Sequence, residues 1–330
     1  MKRSCIFFSA TFFCTTVFAQ FDGARTYWAL PKNLNILSAH AITAKGNASI
    51  NNINYITPEI TVNNNLYMLT YTRSQPIFDR TFFSTLIIPA GGLSANIGIN
   101  GPGGTNTKTI FSHGLGDLIW TNTINVLGAK GLMIKDFVRH ENSTLVYFQE
   151  SLTIPTGQYN AEDSVSMGSN QFKLKLGLPI VQRIGPKVEG SSMTIEVFPS
   201  YSFVSKNKDY LGLEIEQGGM FVLETHITRD ITTNAFISLD YSYLNSGGVD
   251  FVSKQNGAIT KKQAGQNVHL LGATVGYIIN DRMNIFLSHS QTLNSKSSKN
   301  VSLDGLVTKI TFSWSFHDFQ EKFKKYLDSN

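Results

Sequence analysis

Apolar and polar residues alternate with period two along most of this chain. Residues 307–316, VTKITFSWSF, show it most clearly. Val307, Lys309, Thr311, Ser313 and Ser315 form one row; Thr308, Ile310, Phe312, Trp314 and Phe316 form the other. A strand built this way has two faces that meet different media. In 234–244, Ala235, Ile237, Leu239, Tyr241 and Tyr243 oppose Phe236, Ser238, Asp240, Ser242 and Leu244. In 171–181, Phe172, Leu174, Leu176, Leu178 and Ile180 oppose Lys173, Lys175 and Gly177. Twelve such runs are predicted as strands, at about 34–44, 66–75, 81–89, 117–127, 144–154, 171–181, 192–204, 213–228, 234–244, 267–279, 284–292 and 306–316. Most have the roughly 9–11 residues that a tilted strand needs to cross the hydrocarbon of a bilayer. An even count leaves both chain ends on one side of a membrane.

The connections between these runs sort by parity. QPIFD, TRDITT and NDRMN are short; GAKGLMIKDFVRHENS and QRIGPKVEGSS, on the same side, are longer. The opposite set includes AGGLSANIGINGPGGTNTKTIFSHGLG and NSGGVDFVSKQNGAITKKQAGQ, long and rich in Gly, Asn and Ser. Short periplasmic turns facing long extracellular loops are the pattern of a transmembrane barrel; a soluble sandwich gives no reason for it. The expected fold is therefore all-β, a 12-stranded antiparallel outer-membrane β-barrel over 34–316. Two positions fit poorly. Glu150 falls in the apolar row of 144–154, where a lipid-facing carboxylate is costly, so a bulge or a protonated, paired Glu is expected. Asn122 interrupts the apolar row of 117–127 without explanation.

Composition narrows the reading. The chain has 330 residues, 42% apolar and 15% charged, against a usual charged share of roughly 25%. Lys2 and Arg3, the apolar CIFFSATFFCTTVF and a small-residue site before Gln20 predict a signal peptide at 1–19. Both cysteines, Cys5 and Cys14, lie inside it, so the mature chain is expected to have no disulfide and no Cys metal site. The net charge of +5 falls by two with Lys2 and Arg3, and the basic residues are scattered, which gives nucleic-acid binding no support. After Phe316 the spacing changes: Phe319, Phe323, Tyr326 and Leu327 predict a short amphipathic helical tail at 317–330, with a frayed tail as the alternative.

Candidate chemistry lies mostly on the polar faces. Lys173, Lys175, Glu196, Glu224, His226, Asp240 and Lys309, with His40, are predicted to face the lumen. They either neutralise one another or form a selectivity band for a solute. Residues 20–33 precede the first strand and are too short and irregular to be one. They form either a periplasmic lead-in or a lumen plug, with Arg25 reaching a carboxylate and Tyr27 and Trp28 beside it. In FSHGLGDL a strand follows the glycines, so a phosphate loop is not supported. Asp117 there, and Pro155 and Gly157 in IPTGQY, mark the extracellular mouth. His289 and Ser290 are adjacent, hence on opposite faces, which argues against a catalytic pair; no enzyme activity, metal or cofactor is expected.

Four stretches together resemble the outer-membrane proteins of the "MetA-pathway of phenol degradation" family: ARTYWALPKNLNIL, GLGDLIWTNTINVLGA, LTIPTGQY with GSNQFKLKLGL, and the closing strand. By this resemblance Arg25, Tyr27, Trp28, Pro31 and Asn33 belong to an N-terminal signature, and Gly114, Gly116, Asp117, Pro155, Thr156, Gly157 and Lys175 to the others. The resemblance implies a barrel linked to uptake of aromatic compounds. The tail and the Asn/Ser-rich loops depart from the family pattern. The expected function is passive, selective passage of small hydrophobic or aromatic solutes. The alternatives are a closed structural barrel with binding loops, and an outer-membrane lipid-modifying enzyme. Expected partners are outer-membrane lipid, the barrel-assembly machinery and a small solute, with the protein a monomer.

Overall fold

The alternating runs become strands because each side chain row finds its own medium, and the strands close on themselves. A computed structural model describes residues 22–46, 60–101, 104–137, 143–163, 165–185, 190–297 and 305–317. The predicted signal segment lies outside these residues. So does the predicted helical tail, apart from His317, which ends the last strand.

The wall begins with β1 (Leu34–Gly46), β2 (Ile60–Ile77) and β3 (Arg80–Gly101). Its fourth stave is in two parts, β4 (Gly104–Leu115) and β5 (Leu118–Leu127), which part at Gly116 and Asp117. A single-turn helix, α1 (Ile134–Phe137), precedes β6 (Thr144–Ile154). The sixth stave is also divided, into β7 (Lys173–Gly177) and β8 (Ile180–Ile184). Pro179 has no N–H to give the ladder there. The register nevertheless runs through, with Gly177 opposite Ser200 and Ile180 opposite Val197. β9 (Met193–Val204) leads to a hairpin, β10 (Asn207–Tyr210) and β11 (Leu213–Gln217), and then to β12 (Met220–Asp230) and β13 (Ala235–Ser246). A second hairpin, β14 (Val249–Ser253) and β15 (Ile259–Gln263), precedes β16 (Gln266–Asn280), β17 (Met283–Ser297) and β18 (Gly305–His317).

The chain forms a closed, twelve-stave antiparallel barrel. β18 pairs with β1 from Leu34 opposite His317 to Gly46 opposite Gly305. Closure removes the exposed edges that an open sheet would leave. The two hairpins pair with each other as a separate four-stranded sheet, β10-β11-β14-β15, around Tyr210, Ile215, Val249 and Phe251. They leave the wall at two glycine pairs. Gly218 N–H donates to Gly248 O and Gly247 N–H to Gly219 O, each at 2.8 Å, and a Cβ on Gly218 would lie 2.8 Å from Gly247 Cα.

Two expectations need correction. The run at 213–228 is two strands in different sheets, broken at Gly218–Gly219. The segment 90–116, read as a loop, is largely strand, because β3 and β4 extend together and pair from Ala90–Leu115 to Gly101–Gly104. The faces are otherwise as the alternation predicts. Leu239, Val275, Ile310 and Phe312 point outward, toward lipid, while Ser238, Thr274, Thr311 and Ser313 are buried inside. Glu150 faces outward and is exposed, with Asn122 directly opposite it on β5. The expected bulge is not there; the irregularity of this pair falls between Asn125 and Leu127.

Candidate functional site: a lumen occupied from both ends

Lys173, Lys175, Glu196, Glu224 and His226 all face inward and are buried. Asp240 and Lys309 face inward beside them and are less enclosed. Register joins three of the seven into one row: His226 lies opposite Glu196 on β9 and opposite Asp240 on β13. His226 Nδ1 sits 2.7 Å from Asp240 Oδ1. Asp240 also accepts from the Ser238 and Thr274 hydroxyls, both at 2.5 Å. His226 Nε2 is 3.8 Å from Glu224 Oε2. Each charge in this low-dielectric space therefore has an opposite charge or a hydroxyl beside it, which is the condition for keeping it buried.

The rest of the band is engaged by the segment that precedes β1. Asp22 N–H donates to Glu224 Oε2 at 3.0 Å. Arg25 N–H donates to Glu196 Oε2 at 2.9 Å, and Trp28 Nε1–H to Glu196 Oε1 at 3.0 Å. The Arg25 guanidinium donates to Asp230 Oδ1 at 2.5 Å and to Thr228 Oγ1 at 3.3 Å. Tyr27 donates its hydroxyl to Asp22 and accepts from Gln149 Nε2. Lys175 Nζ lies 3.5 Å from Asp22 Oδ2, and Lys309 Nζ lies 3.4 Å from Asp22 O. Burial, with Asp22 and Glu224 nearby, raises the Tyr27 phenol well above its ordinary value, so it stays a donor. Burial draws Arg25 below its ordinary value and the Asp230 hydrogen bond opposes this; a guanidinium remains charged there.

Glycines in the wall prepare this bed. Gly276 lies opposite Phe236, and a Cβ on Gly276 would fall 1.9 Å from the Phe236 ring. A Cβ on Gly177 would fall 2.2 Å from the Phe198 ring. Each ring therefore lies flat over a glycine in the wall, the arrangement in which aromatics shield strand glycines. Phe236 then stacks under the Arg25 guanidinium at 3.8 Å, with Trp28 on the cation at 4.4 Å. Phe198 meets Tyr27 edge-on at 5.0 Å. The segment ends where Asn33 N–H donates to Ser74 O and the Ser74 hydroxyl donates to Pro31 O.

The extracellular mouth is built around Asp117, which is fully buried. Its Oδ1 accepts from Gly157 N–H at 3.0 Å; its Oδ2 accepts from Ser169 N–H at 2.8 Å and from the Ser169 hydroxyl at 2.5 Å. Backbones touch here: a Cβ on Gly157 would lie 2.6 Å from Gly116 C and 2.8 Å from Gly168 Cα. Pro155 is half-buried at the end of β6, and the Thr156 hydroxyl accepts from Leu118 N–H. Asn207, also fully buried, donates to Tyr159 Oη and Ser169 O and so ties the β10–β11 hairpin to this loop. The loop then sends Val165 and Met167 into the lumen, against Ile42, Val62, Leu66, Leu93 and Ala95. A second apolar patch, Met220, Val222, Leu244, Val268 and Leu270, lines the same outer half. Between these patches and the charged band lies a cavity of about 80 Å³. Its walls are Glu224, His226, Asp240 and Lys309 on one side and Ile42, Leu270 and Val307 on the other.

All the sequence-predicted lumen residues thus face one space, and Arg25, Tyr27 and Trp28 join them there. Asp117, Pro155 and Gly157 meet at the mouth. His40 also faces inward, with Thr311 and Thr70 on its two ring nitrogens. His289 is exposed outside while Ser290 lines the cavity, as their adjacency required. Sequence reasoning missed Asp22, Gln149, Ser169, Asn207 and Asp230. Only Asp230, in TRDITT, carried a signal, as a lone acid at a turn.

The sequence profile of the "MetA-pathway of phenol degradation" family matches residues 44–310. The chain belongs to this family. The match starts after the lumen segment, so residues 22–33 are outside it. Among solved structures the chain is similar to the COG4313 outer membrane channel of Pseudomonas putida F1, at 16% identity and a TM-score of 0.69. The likeness covers 90% of this chain and 100% of that one. It is also similar to the transport unit of the autotransporter AIDA-I of Escherichia coli, at 8% identity and a TM-score of 0.52. There 92% of this chain and 95% of that one are covered. At such identities the likeness is one of fold, that of outer-membrane barrels. No curated protein sequence matches the chain.

Proposed function

We propose that this barrel is a passive outer-membrane channel for small, mainly apolar solutes, with loop 155–172 as its outer constriction and residues 22–33 as its inner plug. The observation that carries the proposal is the apolar outer half of the lumen. A porin for hydrophilic solutes keeps its interior polar throughout. Here Ile42, Leu66, Leu93, Val222 and Leu270 face inward where a solute would first enter. Such a solute leaves water at the mouth at a gain of roughly 25 cal/mol per Å² buried. It then meets the charged band, whose groups are satisfied by the plug. The family name and the P. putida channel support the same direction.

The four-stranded sheet β10-β11-β14-β15 favours a second reading, a barrel that presents a binding surface above a closed lumen. Liposome swelling with solutes graded in size and polarity separates the two. Faster uptake of small apolar-bodied solutes than of sugars of equal size is expected. No passage of any solute, before and after deletion of residues 20–31, would leave only the second reading.

A further inference from the structure

One buried atom in the lumen has no use in either closure. Glu224 is 1% exposed. Its Oε2 accepts from Asp22 N–H, but its Oε1 has no hydrogen-bond partner among the described residues. Glu224 lines the cavity described above. A buried carboxylate oxygen without a donor is costly, more so than a neutral acceptor. The cavity's other charges come as both signs: Asp240 with His226, and Lys309 with the Asp22 carbonyl. A neutral guest therefore suits it better than an ion. The opposite wall, Ile42, Leu270 and Val307, is apolar.

We infer that this cavity is a binding station for a small neutral solute with an apolar body and one hydroxyl group, whose hydroxyl donates to Glu224 Oε1. The volume limits the guest. A cavity of about 150 Å³ holds a benzene ring, so about 80 Å³ suits a short alcohol of about three or four carbons. Its methylenes lie on Ile42, Leu270 and Val307, and its hydroxyl completes the carboxylate. The inference deepens the transport reading and rests on it for the route by which the solute arrives. A station in a channel has to bind weakly enough to release, so millimolar binding is the useful range.

The test uses the full mature chain in lipid nanodiscs and two isomers of one formula, 1-butanol and methyl propyl ether. They have the same atoms and nearly the same size, but only the alcohol donates. Saturation-transfer NMR should show the alcohol binding about tenfold more tightly, the worth of one hydrogen bond to a charged acceptor. In Glu224→Gln the amide oxygen keeps the Asp22 N–H and the amide nitrogen turns to the cavity. The alcohol should then lose its advantage and the ether should gain. Leu270→Phe, which fills the apolar side, should abolish binding of both; its heat-modifiable mobility on gels checks that the barrel has folded. Equal binding of the two isomers to the native chain overturns the inference, as does a Glu224→Gln chain with the native preference, since Oε1 is then merely hydrated. These outcomes are separate from the channel question. Solute passage with no isomer preference defeats only the station, and isomer-selective binding with no passage defeats only the channel.

Discussion

At the periplasmic side of the lumen, residues 22–28 hang from side chains on β6, β7, β9, β12, β13 and β18. At the outer mouth, loop 155–172 is pinned by one carboxylate and by glycine backbones in contact. The inner hold consists of separate charge-assisted bonds and stacked rings, each with a flexible side chain at one end. The outer hold is a single buried acceptor with three donors, and the main chain fits so closely that no Cβ is tolerated. The first kind can be released piece by piece and responds to salt. The second fails as a unit or not at all. A channel that opens from its inner face would be built in this way, with a rigid mouth and a detachable plug.

The contrast can be broken most strongly at Asp117. Asp117→Ala orphans two amides and a hydroxyl, at about 1–3 kcal/mol each. A loss of roughly 3–5 kcal/mol in unfolding free energy is expected, read as a lower midpoint for the heat-induced mobility shift, together with noisy, enlarged conductance in planar bilayers. A native midpoint would mean that the glycine contacts alone hold the loop. Gly276→Val comes next. Phe236 has to leave the wall, at about 1–3 kcal/mol of overpacking, and Arg25 loses its platform, so the plug should detach while the mouth stays intact. Conductance should rise without the noise expected of Asp117→Ala.

Arg25 divides the inner hold further. Arg25→Lys keeps the charge but loses the planar stack on Phe236 and the fork toward Asp230 and Thr228. It is expected to fall between the native chain and Arg25→Ala in open probability. A double-mutant cycle with Asp230→Ala should give a coupling of about 1–3 kcal/mol; additivity would show that the stack, not the ion pair, holds the segment. The smallest effect is expected on the outer wall, where Glu150 touches neither closure. Glu150→Leu should stabilise the barrel by about 1 kcal/mol by removing a carboxylate from the lipid face, with conductance unchanged. Destabilisation instead would show that Glu150 has a partner in the membrane.

Much of this was readable from period two alone. The twelve staves, their inward and outward rows, and the inward placing of all seven lumen charges follow from alternation, because a wall one residue thick leaves each side chain only two directions. The reading failed where both faces are wet. Beyond the membrane, β3 and β4 pair through a stretch rich in Gly, Asn and Ser, since there a strand needs no apolar row. It failed again at Gly218–Gly219, where one continuous-looking run changes sheets.

The sequence by itself determined the wall, its closure by a terminal strand, and which residues could meet inside it, since these are set by local alternation and strand length. Only the tertiary structure decided which of them do meet. Asp117 lies 52 residues before Ser169, and Arg25 lies 205 before Asp230. Phe236 needs a glycine on the neighbouring strand to lie flat. Pairings of that kind are set by register around the closed ring and by the path of the chain that enters it, and neither leaves a mark on nearby residues.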